Sequence, residues 1–208
     1  MSFPTGNTLQ ISISRILKHD PGNANRQIMV YDPRKPNRRS MRLKGYDYTK
    51  EGLYFVTVCC QNKVHRFGEI EDGVMHLNAC GQIAHDEWIN LTERFPNMEL
   101  DEFVIMPDHM HGIISLTAGA TLAVAPIGRS RATVKVAPTM PPRLGDIVGA
   151  YKSLVTKGCL EIYKSENRKM GKLWQRNFHD QIIRDERAYH NISNYIRENP
   201  AKWDKQVR

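Results

Sequence analysis

The alternation of apolar and polar positions divides the chain into short, readable segments. Leu53-Tyr54-Phe55-Val56-Thr57-Val58 is an aromatic and β-branched run within residues 52–60, short for a helix and suited to a buried strand. A brief strand between Val74 and Asn78 is expected to pair with it. Ala84, Trp88, Leu91 and Phe95 then recur at helical spacing, which places an amphipathic helix near residues 80–95, ended by Pro96. Residues 100–106 read as a strand, Pro107-Asp108 as a turn and residues 109–116 as the strand that follows. Ile147, Val148, Tyr151, Leu154 and Val155 mark a second helix, and Ile182-Ile183 marks a last strand within residues 173–184. A closing helix over 186–199 has Asp185 as its cap and Pro200 as its stop. This order predicts an α+β fold, a ferredoxin-like or RRM-like antiparallel sheet of four to five strands with helices on one face.

Two stretches fall outside that pattern. Residues 1–44 carry no sustained period and gather Arg34, Lys35, Arg38, Arg39, Arg42 and Lys44 toward their end, which reads as a flexible basic arm. Residues 117–142, rich in Ala, Gly, Thr and Pro, read as a flexible insertion within a single domain over 45–205. Lys and Arg total 30 against 22 Asp and Glu, a net charge of +8 that favours a polyanionic partner. The four cysteines form no CxxC pair, no secretory leader is recognisable, and no apolar run approaches the roughly 20 residues of a membrane span. A cytoplasmic protein with no membrane partner is expected. Neither a phosphate-cradling glycine loop nor a dinucleotide fingerprint occurs, which disfavours nucleotide-fuelled or hydride chemistry.

Candidate chemistry concentrates in Met106-Pro107-Asp108-His109-Met110-His111-Gly112. Side chains alternate across a strand, so His109 and His111 share one face and can reach one cation, while Met110 turns into apolar packing. Two half-exposed histidines in ordinary polar packing would give the same pattern. On the closing helix, Tyr195 and Asn199 are four residues apart and share a face. A phenol with its usual pKa of about 10 is a poor nucleophile at neutral pH without a base or a nearby cation. An amide oxygen at Asn199 could complete a coordination begun by the histidines. A tyrosine flanked by Ile192 and Ile196 is also a common core residue.

Several stretches together resemble the REP-associated and insertion-sequence group of single-tyrosine HUH transposases. These are Arg42-Leu43-Lys44-Gly45-Tyr46-Asp47-Tyr48 followed by Tyr54-Phe55-Val56-Thr57-Val58, then Phe67-Gly68-Glu69-Ile70, and Val104 to Ile114 around the histidines. Trp174-Gln175-Arg176-Asn177 and Tyr195-Ile196-Arg197-Glu198-Asn199-Pro200 continue the likeness, which spans residues 42–203 apart from the insertion. Phe178-His179-Asp180-Gln181 departs from it, standing where an aromatic pair followed by Glu and His is expected.

The resemblance implies the HUH endonuclease fold, with His109 and His111 as ligands of a divalent cation, Mg or Mn, Asn199 as a third ligand and Tyr195 as the nucleophile. Tyr151 and Tyr189 are rivals by composition, but Tyr189 lacks a ligand four residues on and Tyr151 lies on the preceding helix. The implied reaction is cleavage and rejoining of single-stranded DNA through a 5′-phosphotyrosine, on a hairpin-bearing substrate, by a monomer or a homodimer. Arg38, Arg39, Arg42, Lys44, Lys172, Arg176 and Arg184 are candidate phosphate contacts. Three other readings compete: a relaxase or replication initiator of the same chemistry, a hydrolytic metalloenzyme, and a non-catalytic nucleic-acid-binding module.

Overall fold

The computed structural model describes residues 51–117 and 142–203. The basic arm, with Arg38, Arg39, Arg42 and Lys44, and the insertion apart from its two end residues lie outside the described residues. The elements run β1 (Gly52–Cys59), β2 (Gly68–Glu71), β3 (Val74–Leu77), α1 (Ala79–Ile89), α2 (Leu91–Arg94), β4 (Met98–Ile105), β5 (His109–Leu116), α3 (Leu144–Ser165), β6 (His179–Ile183) and α4 (Glu186–Trp203). Strands β4, β5, β1 and β6 form, in that order, one antiparallel four-stranded sheet. The α+β architecture read from the sequence is therefore present.

The pleat of β1 sends Tyr54, Val56 and Val58 to one face, where they join Met110, Ile114 and Leu116 of β5. Against that face pack α1, through Ala84 and Trp88, and α3, through Ile147, Val148, Tyr151 and Val155. The other face carries Leu53 and Ile113 with Ile183, and Ile196 of α4 closes over them. Helices thus lie on both faces rather than one. The central strands are apolar on both sides, and an uncovered Leu53, Phe55 and Ile113 would leave a hydrophobic face in water.

Three other expectations change. The strand at Val74 pairs not with β1 but with β2, in a two-stranded hairpin of its own. Asp72 and Gly73 turn it with φ of 50° and 75°, the left-handed pair that a tight hairpin turn requires. A Cβ on Gly73 would lie 3.2 Å from the Cα of Ala201, so the hairpin tip rests on the end of α4. The helix near 80–95 is divided into α1 and α2 at Asn90. Pro200 does not stop the last helix, which continues to Trp203 and forgoes only the hydrogen bond that a proline cannot donate.

The ends of α1 and α4 follow from their sequences. The side chain of Asn78 accepts from the Gly81 N–H at 2.9 Å, and Asp185 accepts from the Ala188 N–H at 2.7 Å. Each satisfies a donor that the first turn leaves open. Asp185 therefore fixes where α4 begins, and with it the phase of the face that meets the sheet.

Candidate active site

The candidate site lies on the α4 face of the sheet, at the end of β1 and the start of β5. Cross-strand pairing sets Thr57 opposite His111 and Cys59 opposite His109. Both imidazoles are buried, 6% and 5% exposed, and their Nε2 atoms stand 3.0 Å apart. Behind them, on the opposite face, a Cβ on Gly112 would come within 2.5 Å of the Trp88 ring. The glycine after the second histidine thus lets the strand lie directly on α1.

Each imidazole is held through its other nitrogen. His109 Nδ1 meets an Asp108 carboxylate oxygen at 2.5 Å, and His111 Nδ1 meets Thr57 Oγ1 at 2.8 Å. Asp108 is fixed in turn, since the Cys60 N–H donates to its carbonyl, and Arg66 and Phe67 N–H donate to the Pro107 carbonyl. Burial would raise the Asp108 pKa, but the hydrogen bond and charge of His109, with Lys63 beside it, bring it below the usual carboxylate value. Lys63 Nζ lies 3.6 Å from that carboxylate. Burial, reinforced by His109 and Lys63, pushes His111 down to about 3. Its imidazole is neutral at physiological pH.

In the tautomer with a proton on both Nδ1 atoms, the Thr57 hydroxyl and the Asp108 carboxylate accept from them and the two Nε2 lone pairs face one another, ready to share a cation. In the other His111 tautomer its Nε2–H donates to His109. Two ligands about 2.1 Å from a metal and at right angles are about 3.0 Å apart, so the pair fits a divalent cation. Among the described residues no group of three or more His, Cys, Asp or Glu side chains is placed to hold a metal. Further donors would have to be an amide, water or substrate oxygen.

Helix α4 crosses this pair. Tyr195, 42% exposed, places its hydroxyl 3.3 Å from His111 Nε2, with its ring 5.2 Å from the imidazole and edge-on to Phe55. Two turns on, the Trp203 ring lies 5.6 Å from that of His109. Asn199 occupies the turn between them, half-buried and four residues from each along the helix. The rival tyrosines are committed elsewhere. Tyr151 is fully buried and donates to the Ala84 carbonyl, while burial and the adjacent Asp101 push the Tyr189 phenol up to about 12.

The basic candidates divide. Lys172 and Arg176 are exposed on either side of Leu173-Trp174-Gln175, which hydrogen-bonds to Cys59 and Gln61 at the end of β1 nearest His109. Lys152 Nζ donates to the carbonyls of Gln175 and Arg176 and secures that segment. Arg184 follows Ile183, which pairs with Leu53 at the other end of β1, about 13 Å along the strand from Thr57. It is not brought to the histidines. Thr57, Lys63 and Trp203 were not recognisable as part of the site, and Asp108 was legible only as a turn residue. The one available signal was Asp108 directly preceding a histidine, a position suited to orienting its ring.

No protein-family model matches the chain. A Haemophilus influenzae protein of no assigned function is 38% identical over 175 residues, which cover 81% of this chain and 91% of that protein. A second H. influenzae protein, designated a REP-associated tyrosine transposase, is 24% identical over 157 residues, 75% of this chain and 74% of that one. Among solved structures, a REP-associated tyrosine transposase bound to a REP hairpin aligns with a TM-score of 0.48 and 20% identity, over 78% of this chain and 74% of the other. A Deinococcus radiodurans protein designated a transposase aligns with a TM-score of 0.41 and 16% identity, over 75% and 95%.

Proposed function

We propose that the chain is a REP-associated tyrosine transposase, as a relative 24% identical over 157 residues is designated, and that it cleaves and rejoins single-stranded DNA with Tyr195 as nucleophile. The observation that carries this reading is the approach of the Tyr195 hydroxyl to an imidazole pair whose outer nitrogens are already engaged. A hydrolytic site would need a water-activating base and no tyrosine. A passive binding module would have no use for a tyrosine hydroxyl set against a buried imidazole pair.

His109 and His111 would hold a divalent cation, with Asn199 as a third donor from α4. When bound, that cation would polarise a phosphate oxygen and favour the ionised phenol. Tyr195 Oη forms a bond to phosphorus while the bond from phosphorus to the 3′ oxygen breaks. The phenol gives its proton to solvent and the 3′ oxygen takes one up, leaving a free 3′-hydroxyl and a 5′-phosphotyrosine. A second 3′-hydroxyl can reverse the step on another strand without ATP, because one phosphodiester-type bond replaces another. Asp108 and Thr57 orient the imidazoles, and Phe55 supports the tyrosine ring edge-on. Exposed Lys172 and Arg176 would meet phosphates flanking the cut.

A hairpin-bearing single strand is the proposed substrate. The test is to incubate the purified chain with labelled hairpin DNA from its own genomic flanks, with and without Mg²⁺ or Mn²⁺. A metal-dependent adduct that survives denaturation and is absent from Tyr195→Phe supports the proposal. Tight binding with no adduct would instead support the non-catalytic module.

A further inference from the structure

The turn between β1 and β2 takes no part in the reaction derived above, yet its backbone is unusual. Asn62 and Lys63 are consecutive, neither is glycine, and both lie in the left-handed region at φ 56° and 53°. A lysine rarely adopts that conformation unless its surroundings impose it. Here they do. The Gln61 N–H donates to the Leu173 carbonyl at 2.8 Å, the Lys63 N–H to the Cys60 carbonyl at 3.3 Å, and the Arg66 N–H to the Pro107 carbonyl at 2.8 Å. The turn is tied on one side to the segment before β6 and on the other to the turn that carries Asp108.

What the turn presents is a short run of exposed side chains beside His109. Lys63 projects its ammonium to within 3.6 Å of the Asp108 carboxylate. Val64 is 42% exposed, a large apolar side chain left in water. His65, also exposed, has its ring 5.9 Å from that of Trp203, and Trp203 is itself 5.6 Å from His109.

We propose that Lys63, His65 and Trp203 form a nucleotide subsite beside the cleavage centre, where a base of single-stranded DNA stacks on the His65 and Trp203 rings and an adjoining phosphate meets the Lys63 ammonium. The proposal rests on the cleavage reading given above. Ring faces accept any base without reading its edges, and an ammonium accepts a phosphate as a point charge. The geometry also gives the subsite a polarity. Tyr195 stands at His111, whereas the subsite adjoins His109, so a phosphate held at the pair has the nucleophile on one side and the subsite on the other. Displacement at phosphorus sets the leaving oxygen in line with the attacking one. The nucleotide that departs with the free 3′-hydroxyl, on the 5′ side of the cut, is therefore the one that occupies the subsite.

The test uses the full chain. Wild-type protein with Mn²⁺ first maps the cut through its covalent adduct. DNA carrying 2-aminopurine immediately 5′ or immediately 3′ of that cut is then bound to Tyr195→Phe, which holds the strand uncut. The expected result is at least a twofold fall in emission for the 5′ label, a smaller change for the 3′ label, and recovery of the 5′ signal in both Trp203→Leu and His65→Ala. His65 is exposed, so its variant keeps the test decisive if Trp203→Leu loosens α4. Lys63→Met should keep the quench and lower the slope of log Kd against log salt by about one. A wild-type adduct with no quench at the 5′ label, or with a quench that persists in both ring variants, overturns the subsite and leaves the cleavage reading standing. A wild type that forms no adduct overturns both.

Discussion

The hydroxyl of Tyr195 and Nε2 of His111 lie 3.3 Å apart although 84 residues separate them in the chain. One comes from a helix that follows every strand among the described residues, the other from β5 at the centre of the sheet. Their meeting depends on α4 crossing the face that bears the histidines, with Ile196 buried against Leu53, Ile113 and Ile183 to set its phase. Tyr195→Phe removes only a hydroxyl from a half-exposed ring. It is expected to lower strand cleavage by on the order of 10³-fold or more, while DNA affinity in a filter or anisotropy assay stays within about threefold.

Asp108 touches no reacting atom in the proposed mechanism, yet it fixes the tautomer and orientation of His109. Asp108→Asn should weaken Mn²⁺ binding by about 10- to 100-fold, as loss of a partner behind a ligand imidazole generally does. Titration calorimetry reads this directly. Unchanged affinity would remove Asp108 from the site.

Gly112→Ala tests the packing behind the histidines. The added methyl would fall 2.5 Å from the Trp88 ring, and Trp88 is fully buried beside Tyr151. A loss of about 1 to 3 kcal/mol is expected from overpacking a filled core. Urea unfolding followed by tryptophan emission measures it, and an unchanged midpoint would show that Trp88 can move aside at no cost.

The metal-free protein should lose stability in mild acid on account of His111. Its folded pKa of about 3 lies below the ordinary histidine value near 6.5. A group held neutral in this way contributes stability that is fully present above the unfolded pKa and is lost as pH falls toward the folded one. Between roughly pH 6.5 and 3 the unfolded chain takes up a proton that the folded chain refuses, which adds a slope of up to about 1.4 kcal/mol per pH unit. His111→Gln should flatten that part of the curve in denaturant titrations of chelator-treated protein. An equally steep loss in the variant would assign it to other groups.

Much of this arrangement could be read from the chain, for reasons that differ by residue. His109 and His111 share a face because strand periodicity is two, and Tyr195 and Asn199 share one because helix periodicity is 3.6; neither inference needs tertiary structure. Thr57 could not be read this way. Its bond to His111 follows from strand register, which pairs residues 54 apart and leaves no local trace in composition. Strand β2 was missed although Asp72-Gly73 signals a tight hairpin, because four residues of alternating glutamate carry too little apolar pattern. The order of elements alone predicts helices on one face, whereas the apolar residues on both sides of β1 require two covered surfaces. Trp203 lay past a proline expected to end α4, so its position over His109 was out of reach.

The order of elements along the chain bears on when the protein can do harm. Among the described residues, all six strands and both imidazoles are made before residue 186, and Tyr195 comes only with α4. A product truncated by a premature stop before α4 keeps the histidines but lacks both the proposed nucleophile and the helix that covers Leu53 and Ile113. Late synthesis of the nucleophile acts as a safety catch: on the proposed mechanism, the genome is exposed to cutting only by molecules whose synthesis has run through to α4.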